Sequence, residues 1–161
     1  MKKLIFLCHD NICLSPMAEC IMKKIVCDNG LQNDFLIDSA ALVDEECKNP
    51  IYPPAERKLK EHKIPVIKHL AHQVSVEEFD GHDYVIAMEN YNLTVLSTII
   101  GLDKVNDENK VHLLLEFEDD EPVGRKQARD LIDPWYTGDF EIAYQNLLKG
   151  CNGLLKFLLK Q

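Results

Sequence analysis

Near the start of this 161-residue chain stands Cys8-His9-Asp10-Asn11-Ile12-Cys13-Leu14-Ser15-Pro16, between the apolar run Leu4 to Leu7 and a helical pattern that begins near Ser15. It reads as strand, tight loop, helix, with a cysteine at the strand's end. A loop wrapped onto a helix N-terminus aims several backbone N–H groups and the positive end of the helix dipole at one point, which makes an anion site. A thiol held there has its pKa lowered, and the thiolate is the attacking species. Cys8 is therefore the candidate nucleophile.

The elements that must hold this loop follow from pattern and punctuation. Lys3 to Leu7 is an uninterrupted apolar run of the kind a parallel sheet buries on both faces. The first helix is expected to be capped by Ser15, with Pro16 in its first turn and Gly30 past its end. Cys20 and Cys27, seven apart on that helix, are expected to share a core-facing stripe. Further strands are expected at Phe35 to Ala40, Asp83 to Met88 and Val111 to Leu114. Helices are expected at Ala55 to His62, at a capping box Ser75-Val76-Glu77-Glu78, from Glu89 to Ile100 before Gly101, and from Phe140 to Leu159. Leu115 to Gly138, rich in carboxylates, is long enough to be a functional loop or lid.

Strands alternating with helices imply a three-layer α/β/α fold with a four-stranded parallel sheet, flavodoxin-like in architecture, and a site at the strands' carboxyl ends. The length suits a single domain over 1–161. A net charge of −9 argues against nucleic acid and anionic membrane partners. No signal peptide and no bilayer-length apolar run is visible, so a cytoplasmic monomer is expected. The six cysteines lack the spacing of a disulfide scaffold or a structural zinc site, and the histidines show no metal-ligand pattern. No metal and no cofactor is expected, and His9, His62, His69, His72, His82 and His112 read as surface or structural residues.

At Cys8, Asn11, Cys13, Ser15, Pro16, Ala18 and Glu19 the chain resembles the phosphate loop of the low-molecular-weight protein tyrosine phosphatases of bacterial type, whose pattern is C-x-G-N-x-C-R-S-P. Far downstream, Asp133-Pro134-Trp135-Tyr136 looks like the family's Asp-Pro loop. Carried over, the resemblance implies Cys8 as nucleophile and Asp133 as general acid, then base for the attacking water. It also implies Asn11 and Ser15 as holders of loop and thiolate, with Ile12, Cys13 and Leu14 completing the substrate loop. Trp135 and Tyr136 become walls for an aromatic substrate. A reversible Cys8–Cys13 disulfide on oxidation is likewise implied. Arsenate reductases of the same fold are a poorer match, since they need further redox cysteines that do not occur between Met88 and Gly101.

Two departures oppose phosphate binding: Leu14 replaces the loop arginine, and Asp10 replaces the loop glycine. Arginine offers a planar fork to phosphate oxygens, about 1.5–3 kcal/mol per charge-assisted hydrogen bond, and leucine offers none. A carboxylate about 4 Å from a phosphate would add repulsion approaching 4 kcal/mol at an effective dielectric near 20. Leu42-Val43 stand where the family usually has a polar pair, so with Leu14 three apolar residues are expected around the pocket mouth. Three functions follow as expectations. The first is a phosphatase-fold protein whose phosphotyrosine phosphatase activity is lost or strongly impaired, and the second a weak residual phosphatase. The third is a redirected thiol hydrolase in which Cys8 attacks an aryl ester from an apolar pocket, with loop amides as oxyanion hole.

Overall fold

The computed structural model describes residues 1–161 and has one parallel sheet of four strands, β1 (Lys2–Cys8), β2 (Phe35–Ala41), β3 (Tyr84–Ala87) and β4 (Val111–Leu113), in the order β2-β1-β3-β4. The helices are α1 (Leu14–Asp28), α2 (Pro53–Glu61), α3 (Val76–Gly81), α4 (Asn90–Ile100), α5 (Leu102–Val105), α6 (Pro134–Thr137) and α7 (Phe140–Leu159). No helix is long and apolar enough to cross a membrane.

Residue alternation along β1 builds the layers. Leu4, Phe6 and Cys8 face a large apolar cluster shared with α1, α2 and α7, while Ile5 and Leu7 face a smaller one shared with α3, α4 and α5. Because β1 is central and buried on both sides, its C-terminal residue is held by both cores. Cys8 pairs in register with Ala41 on β2, and Leu7 with Ala87 on β3. The cysteine therefore emerges at the carboxyl edge of the sheet, where open parallel sheets carry their sites.

Some expectations need correction. Ser15 is not the cap of α1: the helix starts at Leu14 behind Cys13, with no side-chain cap, and the Ser15 hydroxyl is used inside the loop. Cys20 is buried, but Cys27, one residue from the end of α1, lies exposed although it shares the face of Cys20. The expected capping box does form, with the Ser75 hydroxyl accepting from the Glu78 N–H and the Glu78 carboxylate from the Ser75 N–H. Leu115 to Gly138 is more ordered than its lack of periodicity suggested. A 3-10 turn over Leu114–Phe117 packs on α7, where Gly153 makes room, since a Cβ there would lie 1.6 Å from the Phe117 carbonyl oxygen. Further on, the buried Leu131 donates its N–H to the Met88 carbonyl at 2.9 Å. The Asn90 backbone and side-chain N–H groups both reach Asp130 Oδ1, at 2.8 and 2.9 Å. These bonds pin the segment before Asp133 to the end of β3, beside the Cys8 loop.

Candidate active site

Between β1 and α1 the chain must turn within a few residues, and Asn11 does so with φ of +59°, a left-handed conformation that asparagine tolerates better than most side chains. Asn11 is fully buried and saturated with hydrogen bonds. Its Nδ2 donates to Ser15 Oγ at 2.8 Å and to Ser39 Oγ at 3.1 Å, and its Oδ1 accepts the His72 N–H at 3.3 Å. A backbone N–H can only donate, so the His72 bond fixes which amide atom is oxygen. Its carbonyl takes a 2.7 Å bond from His69 Nε2.

Directionality then runs outward from Asn11. Both serine hydroxyls accept from its amide, so each has its own proton to give elsewhere. Ser39 gives its proton to Glu19 Oε2 at 2.6 Å, and Glu19 in turn holds Lys23 at 2.6 Å. Ser15 Oγ sits 3.0 Å from Cys8 Sγ, placed to donate its proton to a thiolate. With the backbone N–H groups of Asn11 at 3.3 Å and Ser15 at 3.4 Å, three donors converge on one sulfur. That arrangement lowers a thiol's pKa. Burial outweighs it, and the nearby Asp133 carboxylate adds to the rise, so the Cys8 thiol lies above its ordinary value. Cys13, in a small apolar cluster with Ile12 and Ala71, is pushed up for the same leading reason, and both loop cysteines are free thiols.

The rim of the loop is acidic. Burial raises the Asp133 carboxyl above its usual range despite the 2.9 Å bond from the Trp135 N–H, the direction a proton donor needs near neutral pH. Asp10 is raised by burial and by the charges of Glu45, Glu46 and Asp133, with only His9 opposing. Glu89 is raised too, by burial and then by Asp130 and Asp133.

The apolar pocket mouth does not form. Leu14 is 2 % exposed and packs in the large core beneath α1, and Leu42 is 1 % exposed in the opposite core. Only Val43 stays half-buried near the loop, its N–H donating to the His9 carbonyl at 3.2 Å. An apolar side chain beside a sheet gains more by entering a core than by lining a wet cleft, which is why these leucines turn inward. Trp135 is half exposed against Tyr52, ring centroids 4.8 Å apart, and Tyr136 is almost wholly exposed. Sequence reading missed Tyr52, whose N–H donates to the Ile12 carbonyl at 2.9 Å and whose ring joins Trp135 to Phe140. It also missed His69 as a support of the loop, since nothing in the irregular stretch around it marks its partner.

The fold and site define an α/β protein built around a strand-end cysteine loop, and comparison with known proteins gives that class a family. The family described as low molecular weight phosphotyrosine protein phosphatase matches residues 3–161. The low molecular weight protein-tyrosine-phosphatase YfkJ of Bacillus subtilis is 32% identical over 161 residues, covering 100% of this chain and 98% of that protein. Its crystal structure superposes with a TM-score of 0.88 over 99% of this chain and 96% of that one. The human low molecular weight phosphotyrosine protein phosphatase is 32% identical over 158 residues, covering 96% of this chain and 94% of its own length. A low molecular weight protein tyrosine phosphatase structure from Streptococcus pyogenes shares 34% identity at a TM-score of 0.80, over 98% of this chain and 93% of that one. The chain belongs to the low-molecular-weight phosphotyrosine protein phosphatase family.

Proposed function

We propose that this protein is a family member whose phosphotyrosine phosphatase activity is strongly impaired, retaining Cys8 as nucleophile and Asp133 as proton donor but lacking the cation that holds a phosphoryl group. The observation that carries this reading is Leu14. It sits where the resemblance expects the arginine, and its side chain is sealed in the core, while the charges that raise Asp10 at the rim are carboxylates. In phosphoryl transfer the protein supplies mainly positioning and charge stabilisation, so losing the clamp removes the larger part of catalysis even when the nucleophile stays. A high thiol pKa lowers the thiolate fraction further. The ligand such a loop still accepts is an aryl phosphate, bound weakly by backbone N–H groups beside the half-exposed Trp135 ring.

Turnover of an aryl phosphate, measured beside an arginine-bearing family member, tests the reading. The expected rate is lower by a factor of roughly 10³ or more, the scale of one transition-state arginine. A Cys8-dependent rate within tenfold of the relative overturns it.

A further inference from the structure

One side of α2 reverses the charge of the molecule. Five of the chain's 18 basic residues, Arg57, Lys58, Lys60, Lys63 and Lys68, fall in a stretch that holds a single carboxylate, Glu61, although the whole chain carries −9. Lys58 is taken by Glu61 at 2.6 Å and Glu141 at 3.2 Å. Lys63 and Lys68 have no carboxylate within 4.0 Å.

Between α2 and the segment that follows it lies an open groove of about 550 Å³, lined by Lys60, Lys63 and Lys68 together with Ile64, Val66 and Ile67. The one carboxylate of its lining, Glu56, meets Lys60 at 3.2 Å. Ile64 is buried, and Val66 and Ile67 are half-buried against the large core, so the apolar part of the groove is held firmly. Past Val66, Ile67 and Lys68 the groove continues into a second hollow of about 240 Å³ that reaches His69. His69 Nε2 bonds the Asn11 carbonyl at 2.7 Å, so the groove ends at a support of the Cys8 loop. The main chain adds a third kind of contact. Residues 64–72 form neither helix nor strand, and the N–H groups of Val66 and Lys68 donate to no acceptor in the chain.

We propose that this groove docks an acidic peptide segment of a protein partner. Its lysines complement carboxylates, its apolar residues receive alternate side chains, and its free N–H groups take main-chain carbonyls, the combination by which an added segment gains both affinity and selectivity. An extended polyanion such as RNA would meet the negative field of the remaining surface and leave the apolar lining unused. A partner docked here has its neighbouring residues beside the Cys8 loop at raised local concentration, a consequence that rests on the reading of that loop as a weak phosphate site.

The probe is a capped, fluorescein-labelled peptide of about nine residues that alternates glutamate with valine. Its anisotropy is followed as the reduced full chain is added. Saturable binding is expected, weakened at least about tenfold in Lys63→Glu with Lys68→Glu, and held within about twofold in Lys104→Glu with Lys126→Glu, the same change of net charge outside the groove. No binding, or equal weakening in both pairs, overturns the site. Amide hydrogen exchange needs no variant: the Val66 and Lys68 N–H groups should exchange at least about tenfold more slowly in the peptide complex. Unchanged exchange at saturation overturns the docking mode. A lysine and valine peptide of equal length should not bind, and one that binds as well shows that charge does not select the occupant, which also sinks the proposal. Single-stranded RNA or phosphatidylserine vesicles that bind through Lys63 and Lys68 more tightly than the peptide would make the groove a polyanion site and overturn it. The peptide carries no phosphate, so each of these outcomes leaves the impaired-phosphatase reading standing. Rapid aryl phosphate turnover would sink that reading and leave the groove intact.

Discussion

The interior of the Cys8 loop and its rim lie a few ångströms apart and follow opposite rules. Inside, both Asn11 amide hydrogens and the hydroxyl hydrogens of Ser15 and Ser39 have partners, and the chain of donors ends on the cysteine sulfur or on Glu19. At the rim, carboxylates crowd one another with only His9 to offset them, and one Asp10 oxygen has no partner. The difference teaches that the shape of this loop does not depend on the group it would bind. Backbone turn, buried asparagine and serines hold it as a unit, so residues at the rim can change while the cradle of Cys8 survives.

The sharpest way to break that comparison is to restore the rim and ask whether the interior is ready. Leu14→Arg with Asp10→Gly should raise Cys8-dependent aryl phosphate turnover by roughly 10³-fold, and Cys8→Ser in the same background should abolish it. Leu14→Arg alone should give much less, because Asp10 can capture the new guanidinium and the side chain leaves a packed core site. A folded double variant with no activity would mean that interior and rim differ from the family together, and Asp133 would lose its assignment as general acid.

Next in size is an attack on the interior. Asn11→Ala removes two donors and one acceptor from a fully buried position while keeping a strained backbone, so denaturant unfolding should show a loss of about 2–4 kcal/mol. An unchanged midpoint would show that the loop is held by something other than this network.

Two titrations sharpen the electrostatics. Because burial keeps the Cys8 thiol above its ordinary value, its alkylation should be slow near neutral pH and climb through the alkaline range, about tenfold per pH unit until the thiol is half ionised. A Cys8-dependent titration below about pH 7 would show that the three sulfur donors win over burial. The smallest effect belongs to Asp133→Asn. Removing that negative charge should move the alkylation curve to lower pH by less than about one unit, since a pair at a wet rim contributes on the order of 1 kcal/mol. A shift to higher pH would place the carboxylate's influence elsewhere.

Much of this was legible from residue order. The apolar run of β1, the loop after Cys8, the box at Ser75 and Glu78 and the glycine after α4 are signals contained within a few residues, and local backbone sterics and capping act on that scale. The order of strands and helices was enough to imply a parallel sheet with its site at the carboxyl edge. Even the missing arginine could be read directly, as a leucine in the loop.

Direction and meeting are different. Whether Leu14 and Leu42 face a cleft or a core depends on what lies beneath α1 and beyond β2, and packing sent both inward. Ser15 looked like a helix cap because serine favours that position, yet a buried sulfur and a buried amide competed for its hydroxyl. The bond from His69 to Asn11, the Tyr52 ring beside Trp135, the delivery of Asp133 by Leu131 and Asp130, and the approach of Glu45 to His9 and Asp10 all join residues distant in sequence. The sequence by itself determined the main elements and the candidate nucleophile, because those are set by local periodicity and turn chemistry. Only the tertiary structure decided which side chains share the space above Cys8, because that depends on sheet register and on both cores closing at once.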